Sequence, residues 1–129
     1  MVETELSKEL IEAGAELLRR LDDRGLQPDA AFWFYYPDVE AWKLVFTMVK
    51  ISKPGPKHAY QQIQKVLTAA SDELKPLDLE DIVLAKPDSP MVSLLRTAVR
   101  TGPGIRGIRF THNVVNGTLI EDAYIYRLS

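Results

Sequence analysis

A chain of 129 residues with no cysteine and a net charge of −2 excludes several kinds of protein at the outset. The length fits one domain with a core of its own, and the lack of cysteine excludes disulfides, thiolate catalysis and zinc–thiolate sites. With no run of about 18 apolar residues to span a bilayer and no basic leader at the N-terminus, we expect a single soluble, cytoplasmic domain over residues 1–129.

The first predicted element is an amphipathic helix over residues 4–24. Its apolar residues recur at the spacing of a helix that buries one side. Acidic residues come early in the segment and arginines late, as the helix dipole favours. We expect Thr4 to be the N-cap and Gly25 to end the helix. The apolar positions are Leu6, Leu10, Ala13, Leu17 and Leu21.

The segment 31–50 comes next and holds seven of the eleven aromatic residues in the chain. We interpret it as a hairpin whose strands, 31–36 and 41–51, are joined by a turn at 37–40. Aromatic side chains dominate both protein cores and protein interfaces. This hairpin is therefore expected to be either the centre of the fold or a surface for a partner.

Alternation along this hairpin divides its aromatic residues between two faces. A four-residue turn would pair Tyr35 with Trp42 and Trp33 with Leu44. One face then carries Trp33, Tyr35, Trp42, Leu44, Phe46 and Met48, and is the expected core. The other face carries Phe32, Phe34, Tyr36, Val45 and Val49, together with Lys43 and Thr47. Strands that are apolar on both faces are usually covered on both sides, so this second face is either packed under helices or open to a partner.

Residues 52–56 contain two prolines and a glycine and predict a loop. Three elements are expected after it: a helix over 57–74, a strand over 79–86, and a helix from Asp88 or Ser89 to about residue 102. Pro90 fits the first turn of that last helix, where a missing N–H costs nothing.

The last segment, residues 105–127, is predicted to be a second hairpin. Asn116 and Gly117 between two alternating runs give the strongest short hairpin signal. A two-residue turn there would pair, on one face, Ile108 with Ile125, Phe110 with Ala123, His112 with Glu121 and Val114 with Leu119. The other face would pair Arg109 with Tyr124, Thr111 with Asp122 and Asn113 with Ile120, and we expect it to be exposed to solvent.

The predicted order is α-β-β-α-β-α-β-β, which indicates an α+β fold. Each hairpin contributes an antiparallel pair of strands, and each helix between strands makes a crossover. We therefore expect a single mixed five-stranded sheet with three helices packed on it. The order of the strands within the sheet is left open by the sequence.

His112 and Glu121 are the candidate catalytic residues. A carboxylate across from an imidazole could act with it as a general acid–base pair. The alternative is a polar cross-strand pair of purely structural value, and we favour it because no nucleophile is identifiable.

The glycine-rich turn from Thr101 to Arg109 could cradle an anion with backbone N–H groups. However, phosphate-binding loops with a strong signal place their glycines before a helix. Here the glycines follow a helix, so Gly102 as its C-cap and Pro103-Gly104 as a turn explain the pattern without a ligand.

Nucleic-acid and metal binding have weaker support. Basic residues lie close to the aromatic hairpin, which favours single-stranded nucleic acid in principle, but no recognised motif accompanies them. We interpret this segment as a solvated loop. The residues concerned are Lys50, Lys53, Lys57 and His58. His58 and His112 are the chain's two histidines and are too far apart for a local metal-binding motif, so we expect no metal ion and no cofactor.

Charge is distributed unevenly along the chain. Residues 1–40 hold ten acidic and four basic residues, whereas residues 41–129 hold eight acidic and twelve basic ones. Such polarity can orient a partner or a second copy. Together with the aromatic hairpin and the absence of a chemical constellation, it favours a non-enzymatic protein that acts by protein–protein association, as a homodimer or as an adaptor, regulatory or immunity-like protein.

Two alternatives stay open. The first is a small-molecule binder or enzyme with a pocket between the hairpins at 31–51 and 105–127, with polar groups from Arg106, Arg109, His112, Tyr124 or Tyr126. The second is nucleic-acid binding through the basic second half, which the negative net charge disfavours. The candidate binding residues are Phe32, Phe34, Tyr36, Arg106, Arg109 and Tyr124.

Overall fold

The computed structural model describes residues 6–47, 56–69, 74–86 and 88–129. Its elements, in chain order, are α1 (Lys8–Asp23), β1 (Ala30–Tyr36), β2 (Ala41–Thr47), α2 (Pro56–Ala69), a 3-10 turn (Leu79–Asp81), β3 (Ile82–Ala85), α3 (Pro90–Ala98), β4 (Ile108–Val115) and β5 (Thr118–Leu128). This order confirms the predicted α+β fold with one mixed five-stranded sheet and three helices. The strands lie in the order β3-β2-β1-β5-β4, and the parallel pair is β2 with β3.

Several helices and strands begin or end at residues other than those predicted. Helix α1 begins later than expected, with Ser7 rather than Thr4 as its N-cap, since the Ser7 hydroxyl accepts a hydrogen bond from the N–H of Leu10. Its end is as predicted: Gly25 has a φ of +80°, the left-handed conformation that glycine adopts freely. Strand β3 begins three residues later than expected, because Asp81 caps a 3-10 turn through the N–H of Asp78. The predicted parts at 48–55 and 70–73 lie outside the described residues.

The register of the aromatic hairpin is as predicted. Tyr35 pairs with Trp42 and Trp33 with Leu44. In the C-terminal hairpin, Asn116 and Gly117 have φ of +48° and +79°, as the two central residues of a type I′ turn require. The residue pairing in both hairpins therefore follows from turn length.

One part of the C-terminal hairpin departs from the predicted alternation. His112 has a φ of +49° and is missing from the strand pairing, although Thr111 and Asn113 on either side of it are paired. Beyond this irregularity the faces are exchanged. Ile120, expected on the exposed face, is 1% exposed, whereas Val114 and Leu119, expected on the inner face, are 68% and 54% exposed. A left-handed residue breaks strict alternation, and no local sequence signal marked His112 as one.

Helices cover both faces of the sheet. Helices α1 and α2 lie over the face with Trp33, Leu44 and Phe46, all fully buried as predicted for the core. Helix α3 lies over the opposite face, where Val92 and Leu95 pack against a second cluster of strand residues. That cluster includes Phe32, Val45, Ala123, Ile125 and Leu128.

Candidate functional site

An apolar groove of about 420 Å³ lies on the α3 side of the sheet. Strand β1 forms one wall, α3 another, and the start of β5 closes the third. None of the described residues that line the groove is charged. The lining consists of Phe34, Pro90, Met91, Leu94, Leu95, Thr118, Leu119 and Ile120.

Local sequence fixes α3 as one wall of the groove. Ser89 caps the helix by accepting from the N–H of Val92, and Pro90 occupies the first turn, as predicted. Val92 and Leu95 are buried and hold the helix on the sheet. Met91 and Leu94 are only partly buried, and both line the groove.

A series of aromatic rings on β1 runs from the core to the groove. Phe32 is fully buried, and its ring lies edge to face with that of Phe34, the centroids 6.4 Å apart. The rings of Phe34 and Tyr36 make a similar contact at 5.1 Å, and the Tyr36 hydroxyl donates to Met91 Sδ at 3.9 Å. Burial raises the pKa of Tyr36. Phe32 therefore belongs to the core, whereas Phe34 lines the groove.

The exposed tip of the C-terminal hairpin adjoins the groove. Leu119 belongs to the groove lining and is paired in register with Val114 on β4. More than half of each side chain is exposed. Leu119 therefore extends the apolar lining of the groove to the hairpin tip, whereas Val114 is not part of that lining.

Arg109 and Tyr124 lie on the α1 side, away from the groove. The Arg109 guanidinium donates to both carboxylate oxygens of Asp122, at 2.6 and 2.7 Å, and lies 5.6 Å from the ring centroid of Trp42. The Tyr124 ring lies edge to face with Tyr126 at 5.4 Å. The structure brings these residues together as a side-chain network and separates them from Phe34 and Tyr36.

His112 and Glu121 come close but form a loose pair. The imidazole Nδ1 and the carboxylate are 4.0 Å apart, and the side chains are 68% and 38% exposed. Exposed pairs at such a distance contribute little in water. The arrangement is that of a surface charge pair.

Three backbone groups of the turn from Thr101 to Arg109 form hydrogen bonds with the end of β5. The N–H of Thr101 donates to the carbonyl of Leu128, and the N–H of Arg106 donates to the carbonyl of Tyr126, both at 2.8 Å. The carbonyl of Gly104 accepts from the Arg127 guanidinium. These bonds align the turn with the end of β5.

A second recess, of about 250 Å³, lies on the α1 side. Its walls include Trp33 and Trp42, and two carboxylate residues, Glu40 and Asp81, stand at it. Leu10, Ala41 and Pro76 complete the lining. No local sequence pattern predicts this recess, because its residues come from four separate segments.

The alternative pocket between the two hairpins is present only in part. The groove does take Phe34 from the first hairpin and Thr118 to Ile120 from the second. However, its lining does not contain the polar residues expected there, namely Arg106, Arg109, His112, Tyr124 and Tyr126. In the described residues no group of three potential metal ligands occurs, and no helix is long and apolar enough to cross a membrane.

The structure describes two of the four basic residues considered for nucleic acid. Lys57 and His58 are exposed on the first turn of α2. Lys50 and Lys53 lie outside the described part of the chain.

Comparison with protein-family models, with curated proteins and with solved structures finds no match.

Proposed function

We propose that the protein acts by association with a second copy of itself, and that the groove beside α3 forms the interface. The observation that carries the proposal is Leu119, which is 54% exposed and lines an uncharged apolar groove. Contiguous apolar surface that is exposed to water is typical of a site that contacts another molecule.

A two-fold dimer requires one surface to complement itself. Here the exposed Leu119 adjoins a concave apolar groove, so that Leu119 of each copy can contact the groove of the other. The groove also offers aromatic and methionine side chains, Phe34 and Met91, which are enriched at interface cores.

The distribution of charge favours a second copy over a charged partner. In a symmetric contact near the two-fold axis each charge meets the same charge, so a charged lining would repel. The described groove lining is uncharged. A strongly acidic or basic partner would find nothing there to pair with.

Strand β4 offers a competing surface, since it ends the sheet in the described part of the chain. Regular pairing along it is interrupted by the left-handed His112, and Arg109 places a charge on the strand. Bulges and charges of this kind protect an edge from pairing with another chain. The groove is therefore the better candidate interface.

Mass measured by light scattering over a range of concentrations tests the proposal. We expect a dimer for the wild-type chain at tens of micromolar and a monomer for Leu119→Glu, which would place two carboxylates in the apolar interface. Val39→Glu is the matched control, because Val39 is 66% exposed and does not line the groove. A monomeric wild type at every concentration would overturn the proposal, and so would dissociation by Val39→Glu alone.

A further inference from the structure

Asn116 and Gly117 form the exposed tip of the C-terminal hairpin. Both residues are open to solvent, and their φ values of +48° and +79° are those of a type I′ turn. Asparagine is one of the thermolabile residues of proteins, and a glycine after it leaves the side-chain amide open to attack by the main chain. We propose that Asn116 is a site of spontaneous deamidation, and that the isoaspartate formed there switches off the association surface at the hairpin tip.

The reaction needs water and no added reagent. The main-chain nitrogen of Gly117 loses its proton to hydroxide and attacks Cγ of the Asn116 side chain, which lies in the same chain and is therefore always close. A bond forms between this nitrogen and Cγ, the bond from Cγ to the amide nitrogen breaks, and ammonia leaves with a proton from water, which restores the hydroxide. The product is a five-membered succinimide ring. Water then opens the ring at either carbonyl and leaves aspartate or isoaspartate.

The folded tip leaves both reacting groups available. Within the described part of the chain, neither the Asn116 side chain nor the N–H of Gly117 has a hydrogen-bond partner. A Cβ built on Gly117 would meet no atom within 4 Å, so neighbouring residues do not confine the turn. Attack therefore requires rotation within two exposed residues rather than unfolding of the sheet.

Asn113 is the chain's other asparagine and provides an internal comparison. It is also exposed, but it pairs with Ile120 in the β4–β5 ladder, and its amide donates to the carbonyl of Thr111 at 3.2 Å. The next residue is Val114, whose branched side chain is stiff and hinders attack by its own main-chain nitrogen. Both asparagines are exposed to water, and Asn116 alone combines a following glycine with an unpaired amide.

Isoaspartate changes the main chain of the tip. The chain then runs through the side-chain carbons of residue 116, which adds one carbon to the turn, and the former main-chain carbonyl becomes a free carboxylate. The length of a two-residue turn fixes the register of a hairpin. Thr118 and Leu119 follow this turn directly and line the groove. A longer turn therefore displaces the residues through which the dimer would form, a step that rests on the proposed function.

Ageing of the folded, full-length protein at mildly alkaline pH tests the modification. Mass spectrometry with fragmentation assigns the mass gain of deamidation to Asn113 or Asn116 and distinguishes aspartate from isoaspartate. We expect the gain at Asn116, with isoaspartate among the products, and none at Asn113 over the same time. The rate should rise with pH, because the attacking nitrogen must lose a proton. A folded chain that keeps its Asn116 amide, or that deamidates equally at both positions, would overturn the proposal.

Two variants test the effect on association. Asn116→Gly is the matched control, because glycine adopts a positive φ freely and carries no amide. Light scattering should show that the aged wild type has lost its dimer and that equally aged Asn116→Gly has kept it. Freshly prepared Asn116→Asp has the charge of a deamidated chain without the extra main-chain carbon, and it should stay dimeric. A monomeric Asn116→Asp would contradict the longer turn as the cause, and a wild type that stays dimeric after conversion to isoaspartate would contradict the switch.

The two readouts separate this proposal from the proposed dimer. A fresh wild-type chain that is monomeric would overturn the dimer and the switch together, and the masses of the aged chain would still decide whether Asn116 deamidates. An unchanged mass in a chain that is dimeric when fresh would overturn the modification and leave the dimer standing.

Discussion

The two faces of the sheet are both apolar, but they are closed in different ways. On the α1 side two helices of 16 and 14 residues cover the strands, and buried polar groups join helix to sheet. On the α3 side a single helix of nine residues covers the strands, and the groove remains open beside it. The first face is closed by helices and buried polar contacts, and the second leaves apolar surface exposed.

Polar side chains on the α1 side form hydrogen bonds between α1 and the sheet. The Tyr126 hydroxyl accepts from the Trp33 indole and donates to the carbonyl of Ile11 at 2.5 Å. The Arg127 guanidinium, 4% exposed, donates to both oxygens of Asp22 and to the carbonyl of Pro28. Buried groups of this kind stabilise one arrangement only, because any other leaves them unpaired.

The largest expected effect comes from breaking the Arg127–Asp22 pair. Asp22→Ala leaves the buried guanidinium without its carboxylate and should lower the free energy of unfolding by about 3 kcal/mol. That is the lower end of the usual range, because the Asp22 side chain is 25% exposed. Urea denaturation measures the change. Glu16→Ala, which removes partners of the exposed Arg19 and of Arg20, is the control and should cost about 0.5 kcal/mol. Equal costs would contradict the account of this face.

The next largest effect is expected at Gly14, where α1 lies close to the sheet. A Cβ at Gly14 would collide with the Tyr126 hydroxyl and would lie 2.9 Å from the Trp33 indole nitrogen. Gly14→Ala should therefore destabilise the fold by about 1–2 kcal/mol, although alanine favours a helix by about 1 kcal/mol over glycine. Thermal melting measures it. Gly102→Ala, where a Cβ meets nothing within 4 Å, should be near neutral.

Tyr126→Phe should cost about 1–2 kcal/mol at neutral pH, because it leaves the Trp33 indole unpaired. Its pH dependence gives a second test. Burial raises the pKa of Tyr126 above the value of about 10 in an unfolded chain. The unfolded chain thus loses this proton first, so the contribution of Tyr126 is complete below pH 10 and declines above it. The stability curves of wild type and variant should converge above pH 10; parallel curves would contradict this.

The smallest expected effect is at the tip of the C-terminal hairpin. Val114→Ala should change the free energy of unfolding of the monomer by less than about 0.5 kcal/mol, since the side chain is 68% exposed. Unfolding should be measured at a protein concentration at which the chain is monomeric. A cost as large as that of Gly14→Ala would mean that the hairpin tip is part of the monomer's own core.

Much of the fold follows from the sequence, and little of the candidate site does. Turn length and alternation predicted the pairing of Trp33 with Leu44, and the pair Asn116-Gly117 predicted the second hairpin, whose turn has the two positive φ values. The buried face of the aromatic hairpin followed from the same alternation. These are local rules, and local residues decide them.

The groove and the recess depend on contacts that no local pattern encodes. The exchange of faces at His112 exposes Leu119 and buries Ile120. An irregularity after Ala31, opposite the end of β5, places Arg127 on the α1 side with Asp22, where strict alternation would place it on the α3 side with Ile125. Single irregular residues thus decide which side chains form each site.

The most direct test of the central proposal mixes two variants that should each be monomeric. Leu119→Glu changes the hairpin tip, and Leu94→Lys changes the groove, where a lysine stem can keep part of the apolar contact. In the mixture the tip of one chain meets the groove of the other, so one contact gains a Glu–Lys pair and the second keeps both wild-type leucines. Light scattering should show monomers for each variant alone, with native circular dichroism, and a dimer for the equimolar mixture. A mixture that stays monomeric while the wild type is dimeric would contradict the insertion of the hairpin tip into the groove.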